Sequence, residues 1–254
     1  MSMRSVFIVL LMFGCCMSAN AQIRLRVAAG LSTDWITNNN PATFRMVSEG
    51  QATDTNQPFG GSLDGMQSGW GLKCFVDLDK QKNFRIPFGV DYWMFTGTQT
   101  VNGGISGVQV RHEVNIISTM VGFEWSFVEF PMAFARAYVG AELRPTFIGA
   151  NSLTTFLWNY SRADERTETT YLSSNKEACT RLGGMVRLGV EGELYYPVFI
   201  NTSVAWGVMN MIGRDTRPTW EGGRGELLTA SKLNEGVESY VQHLNFTFMI
   251  QVRL

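Results

Sequence analysis

YVQHLNFTFMIQVRL, residues 240–254, closes the chain. Leu244, Phe246, Phe248, Ile250, Val252 and Leu254 are apolar; His243, Asn245, Thr247, Gln251 and Arg253 stand between them, and only Met249 interrupts the alternation. Period two is the signature of a β-strand with two unlike faces. The segment is about twice the usual length of a strand in a soluble protein and long enough to cross a bilayer at a tilt. A strand at the end of a chain has an edge to pair, and the first strand is the available partner.

Seven further segments alternate in the same way, at 22–36, 69–79, 84–96, 111–125, 133–147, 180–193 and 196–209. Three of their connections are short: Asp79 to Asn83, Val128 to Met132, and Leu194-Tyr195 ahead of Pro197. These have the length of hairpin turns. The other four, near 37–68, 97–110, 148–179 and 210–239, are long and rich in Asn, Gly, Ser and Thr. Short and long connections alternate, with both termini on the short side. The pattern predicts an all-β, eight-stranded antiparallel up-and-down barrel with short turns at one end and long loops at the other.

Composition narrows the class. Of 254 residues, 17% are charged and 12% aromatic, and no run of eighteen apolar residues occurs, which argues against a helical membrane protein. A formal charge of −1 gives no reason to expect a nucleic-acid partner. Residues 1–21 read as a cleaved export signal: Arg4, an apolar run from Val6 to Phe13, and Ala19-Asn20-Ala21 as the cleavage site. A lipoprotein signal using Cys15 or Cys16 fits poorly beside the bulky Met12 and Phe13. The barrel domain is then 22–254, beginning at Gln22, and Cys74 and Cys179 are expected as free thiols.

Alternation does not say which face is inside. A lipocalin-like soluble barrel turns its apolar face inward and a membrane barrel turns it outward. The polar face collects Arg24, Arg26, Lys73, Asp77, Arg85, Asp91, Glu124, Arg136, Glu142, Arg144, Arg187, Glu191, Glu193 and Arg253, interspersed with glycine. Charges of both signs, mostly Arg, with Gly among them read as an ion-pair network filling a narrow lumen, because the planar guanidinium binds carboxylates through two hydrogen bonds at once. On the apolar face Trp70, Tyr92, Phe147 and Trp206 fall near the long-loop ends of their strands, and Phe84, Trp125 and Tyr196 near the short-turn ends. An aliphatic band between two aromatic girdles is the pattern of a membrane-spanning barrel.

On these features the chain resembles the small eight-stranded outer-membrane barrels, the group of the OmpA transmembrane domain, OmpX and the opacity proteins, with similar barrels of Bacteroidetes-type bacteria. The resemblance covers 22–254 and rests on pattern rather than on a motif. It implies a monomer in the outer membrane of a Gram-negative cell, surrounded by its lipid and lipopolysaccharide. It also implies a last strand read by the barrel-assembly machinery; the group ends on an aromatic residue where this chain has Leu254. No peptidoglycan-binding domain is expected after the barrel.

The same resemblance brings in lipid-modifying enzymes that place a histidine, a serine and a carboxylate at the outer rim. The two histidines, His112 and His243, lie at loop ends, with Glu113 and Ser118 near one and Glu238 and Ser239 near the other. A triad is defined by geometry, not by nearness in sequence, and histidines hydrogen-bonded in the lumen are the plainer expectation. No metal-ligand spacing, phosphate loop or nucleophile elbow is present, so neither a metal nor a cofactor is expected. Asp164, Glu165 and Glu168 read as a solvated charge run. Eight strands leave room only for side chains, so at most a small conductance is expected. The expected role is non-catalytic: envelope integrity, adhesion or binding to an unidentified surface ligand through the external loops, with Trp158, Tyr160 and Trp220 as contact residues.

Overall fold

In the computed structural model, residues 24–38, 63, 65–79, 83–103, 105–160, 166–229 and 237–254 are described. The export signal, most of the 37–68 connection, and Asp164 and Glu165 lie outside these residues. Ten strands occur among the described residues: β1 (Arg24–Asn38), β2 (Met66–Asp77), β3 (Phe84–Asn102), β4 (Ser106–Phe130), β5 (Ala135–Ile148), β6 (Asn151–Tyr160), β7 (Arg166–Lys176), β8 (Cys179–Tyr195), β9 (Val198–Ile212) and β10 (Gln242–Arg253).

Eight of them close into a ring of antiparallel neighbours. The order is β1, β2, β3, β4, β5, β8, β9 and β10, and β10 returns to β1. The terminal strand pairs with the first from Arg26 opposite Arg253, through Leu31 opposite Phe248, to Ile36 opposite His243. Neither end of the chain therefore leaves an open edge along this ladder.

The register fixes the shape of the ring. Partners followed from Leu31 in one direction run through Trp70, Tyr92, Ile117 and Phe147 to Thr180. In the other direction they run through Phe248 and Thr202 to Val190. The two paths meet β8 ten residues apart. A stagger of ten residues at about 3.3 Å each, over eight strands about 4.8 Å apart, tilts the strands by roughly 40°. A ring of this size is filled by its own side chains.

Two of the expected long connections are instead ordered strand. β3 and β4 continue to Asn102 and from Ser106, with Val101 opposite Val108 and Gln99 opposite Val110. The 148–179 segment forms the β6–β7 hairpin, which pairs with Ser106–Glu113 of β4. Beyond the ring, β3, β4, β6 and β7 thus make a four-stranded extension. Both faces of its strands carry Thr, Gln, Ser and Asn, so the one-sided apolar alternation is weak there. β-branched Thr and Val still favour the extended backbone. At the opposite end the connections are short: Asp79 accepts the amides of Asn83 and Phe84 at 3.1 and 3.0 Å, and a single 3-10 turn, Pro131–Ala133, links β4 to β5. Cys74 and Cys179 are free thiols.

Polarity is inverted relative to a soluble domain. Leu188, Val190 and Ile250 on the outer face are 58%, 45% and 56% exposed, whereas Arg85, Arg187 and Asp91 inside are at most 1% exposed. Glycine makes room for the large inner side chains. Tyr138 lies opposite Gly189, and a Cβ on Gly189 would stand 2.4 Å from the Tyr138 ring carbon Cζ. We expect Gly189→Val to cost about 1–3 kcal/mol in urea unfolding from lipid vesicles, because the ring has to leave its place. Gly192→Ala, whose nearest neighbour would be Ala135 Cβ at 3.7 Å, should unfold like the parent.

Candidate functional site

Inward-pointing residues stack in layers along the barrel. In the layer nearer the short turns Glu191 is the hub. Arg26 and Arg85 donate to it through short hydrogen bonds, and Arg136 donates at 3.3 Å. Arg26 also donates to Asp77 at 2.9 Å, and Arg85 to Glu124. The Arg85 guanidinium lies between the Phe75 and Tyr138 rings, 4.5 Å from each centroid. Such stacking is open to the planar, weakly hydrated guanidinium and not to an ammonium. The next layer centres on Glu142, which accepts from Arg187 at 2.6 and 3.2 Å and from Arg144 at 2.9 Å. Arg144 also reaches Asp91 at 2.6 Å, and Lys73 stands 4.0 Å from Glu142.

Not every inward-parity charge belongs to this network. Glu193 is exposed near the short-turn end of β8, beyond the last enclosed layer, and this corrects its assignment to the packed lumen. Arg24 and Arg253 are only partly buried at the same rim. Arg253 lies 5.0 Å over the Phe199 ring.

Above the Glu142 layer comes a further polar layer. Asp34 shares a 2.8 Å hydrogen bond with His243 Nδ1, Asn245 donates to Ser32 Oγ at 3.0 Å, and Trp93 Nε1 donates to the same oxygen at 3.2 Å. Their parity on β1, β3 and β10 was the signal available. Over this layer Trp93, Phe95, Ile36, Val114, Ile116 and Ile148 from the strands meet Leu63, Leu227 and Leu228 from the connections in one buried apolar cluster. Asn151 holds the last of these segments in place, donating to the carbonyls of Leu227 and Thr229 at 3.2 Å each. The mouth at the long-loop end is therefore capped from inside.

Glu113 is parted from His112 by strand geometry, because adjacent strand residues point to opposite faces, and the other three candidates are engaged elsewhere. His112 is buried, while Glu113 is half-exposed and paired with Arg111 at 2.5 Å. Ser118 shares a hydrogen bond with Thr146 at 3.0 Å and accepts from Arg144. Ser239 donates to Glu226 at 2.7 Å, and Glu238 accepts from Arg181 at 2.8 and 2.6 Å.

On the outer face Trp70 and Tyr92 meet with ring centroids 5.8 Å apart, and the Tyr92 hydroxyl donates to Asn115 at 3.0 Å. Phe147 and Trp206 are exposed near the long-loop end, Trp125 and Tyr196 near the short turns. Phe127, Phe130, Phe134 and Tyr195 are also exposed at the short-turn end, a cluster not picked out from the sequence because it straddles strand and turn. Of the expected contact residues, Trp158 lies over Gly107 with Arg166 5.6 Å from its ring. Tyr160 is exposed at the hairpin tip, and Trp220 is the most exposed of the three.

Beyond the capped mouth lies a second polar cluster. A cavity of about 420 Å³ is lined by Lys176, Glu177, Arg181, Asp215, Arg217, Thr219, Gly222, Gly223 and Arg224. Hydrogen bonds from Arg217 hold the Asp215 carboxyl below its ordinary pKa, and burial, with Arg224 beside it, lowers Lys176 to about 8.

These features define an eight-stranded antiparallel barrel with an apolar exterior, a filled polar interior and a capped mouth. No family model matches the chain, and no curated protein matches it in sequence. Among solved structures it is similar to Neisserial surface protein A (NspA), at 8% identity over 92% of this chain and 98% of that one, with a TM-score of 0.39. It is also similar to Ail, the attachment invasion locus protein of Yersinia pestis, in complex with the heparin analogue sucrose octasulfate: 10% identity, 92% and 100% covered, TM-score 0.39. Ail alone gives 9% identity, 91% and 97% covered, and a TM-score of 0.33.

The network makes a direct prediction. Glu191→Gln strands three arginines around a neutral amide and should cost about 3–5 kcal/mol of folding stability in vesicles. Adding Arg85→Met should recover part of the loss, since a thioether can lie between Phe75 and Tyr138. A double variant no more stable than the single one would show that Glu191 is not the hub.

Proposed function

We propose that the chain is exported with residues 1–21 removed, inserts as a monomer into the outer membrane of a Gram-negative cell, and serves as a rigid stem carrying external segments for surface contact. The observation that carries this reading is the inverted polarity. An exposed belt of Leu, Val, Ile, Phe and Trp runs around the whole ring while buried Arg, Asp and Glu fill its centre. In water such a belt would drive association, since contiguous apolar patches on monomers rarely exceed a few hundred Å². In a bilayer it is the matching surface, and the aromatics at both ends suit the two interfaces.

The role at the surface is adhesion, envelope integrity or ligand binding, without catalysis. Support comes from how the chain is spent. The β3–β4–β6–β7 extension and the 213–229 segment build structure beyond the ring, and they present Ile105, Tyr160 and Trp220 outward. The stacked layers from Glu191 through Glu142 to the apolar cap occupy the path an open channel would need. Lipid and lipopolysaccharide surround the stem on this reading, and the barrel-assembly machinery delivers it.

Leu188→Arg tests the membrane placement. A cation in the middle of the outer belt should cost about 2–4 kcal/mol of insertion, read as loss of the heat-modifiable band on denaturing gels and loss from outer-membrane fractions. Normal insertion of this variant would mean the outer face does not meet lipid. Replacing Leu153–Ser174 by a short Gly-Ser link tests the stem-and-projection division. The barrel should still insert, because among the described residues β7 pairs with β6 and β6 with β4 above the ring, while adhesion of expressing cells should fall.

A further inference from the structure

We propose that the cavity walled by Lys176, Arg181, Arg217 and Arg224 binds the phosphate or sulfate group of an anionic sugar. Two of its four cations already have carboxylates. Arg181 donates twice to Glu238, and Arg217 donates twice to Asp215 at 3.1 and 3.2 Å. Arg224 is different. Its backbone amide is held by Asp215 at 3.0 Å, but its side-chain Nε and Nη2 are buried with no hydrogen-bond partner among the described residues. Glu238 stands 3.7 Å from that Nε, outside hydrogen-bond reach, with its oxygens already accepting from Arg181, Asn210 and the Asp215 amide.

Among the described residues, Lys176 makes no ion pair with a carboxylate. Its ammonium donates to the Glu226 carbonyl, and the charge of Arg224 beside it adds to the burial that lowers its pKa to about 8. Among the described residues, Arg224 has only a 3.7 Å ion pair with a Glu238 it shares with Arg181, and Lys176 bonds a carbonyl, so an anion in the cavity would complete both. A tetrahedral oxyanion can take paired hydrogen bonds from a guanidinium and one from an ammonium. The glycine amides are not the donors, for Gly222 and Gly223 are bonded to the Thr219 and Pro218 carbonyls. A volume of about 420 Å³ exceeds what such an anion needs and leaves room for a sugar ring, with Thr219 and Glu177 on the wall to meet hydroxyls.

The inference rests on the proposed external placement only for the source of the ligand; the site itself can be tested in detergent. Refolded protein, checked by its heat-modifiable band, is titrated calorimetrically with glucose 6-sulfate, glucose 6-phosphate, glucose and inorganic sulfate. Both esters should bind and glucose should not. Arg224→Met and Lys176→Met should each weaken the esters about tenfold or more, and Arg166→Met, on the exposed hairpin, should not. The sulfate ester keeps its charge across the range, so its affinity should fall as pH rises through about 8, where Lys176 loses its proton, and Lys176→Arg should flatten that fall. Arg224, Glu226, Glu238 and Cys179 are the groups that face Lys176. Unchanged affinity in Arg224→Met, or glucose binding as well as its esters, overturns the site. Inorganic sulfate binding as tightly as the ester overturns the sugar assignment. Displacement of the ester by lipid A micelles would support the site and place its source in the surrounding membrane; displacement only by a soluble phosphorylated saccharide would support it and place the source in solution. A protein that proved water-soluble without detergent would sink the membrane reading and leave this titration intact.

Discussion

Closure of β10 on β1 is the constraint on which the other features depend. A sheet whose outer surface is apolar has no water along it to satisfy an open ladder, so every backbone amide and carbonyl in the belt needs a partner in the next strand. The resulting ring is too narrow to hold water and a ligand as well as large side chains. Everything inside is therefore a packing problem among the inward-pointing residues themselves.

That problem is solved with charge rather than with hydrocarbon. An apolar interior would have made both faces of every strand alike, and the register would lose its specification, since a one-residue slip exchanges the two faces. With Arg, Asp and Glu inside, a slip places charges against lipid and strands their partners. Buried ion pairs contribute little net stability, because desolvation offsets most of the attraction. Their value here is that the right register is the only one in which Glu191 meets Arg26, Arg85 and Arg136, and Glu142 meets Arg144 and Arg187.

This division also explains what could be read from the sequence. Within the ring the two faces differ as sharply as they can, so the eight strands, their antiparallel order and the sidedness of residues such as Arg85 and Leu188 are legible by parity alone. Beyond the ring both faces meet water or other connections. The contrast disappears, and β6 and β7 look like loop although Thr-rich pairs hold β6 to β4 and β7 to β6. The cap and the external cavity were illegible for another reason. Leu227, Arg224 and Glu238 lie in the β9–β10 connection and meet Lys176 of β7 and Arg181 of β8 through three-dimensional folding, not through spacing. Glu193 shows the opposite failure, since parity gives a direction but not how far the enclosed interior extends.

The apolar cap gives the layered interior a further consequence. Trp93, Phe95, Leu227 and Leu228 lie between the Asp34–His243 layer and the Glu238 cluster, so the two sets of charges are screened from each other by hydrocarbon rather than linked through water. The stem can then keep an almost balanced interior whose only task is to hold register. The outer cluster is free to hold weakly paired cations, with Arg224 3.7 Å from Glu238 and Lys176 on the Glu226 carbonyl, without disturbing the pairs below. An uncompensated cation inside the ring would be a folding defect. The same cation above the cap, next to a cavity open to the outside, is a binding group.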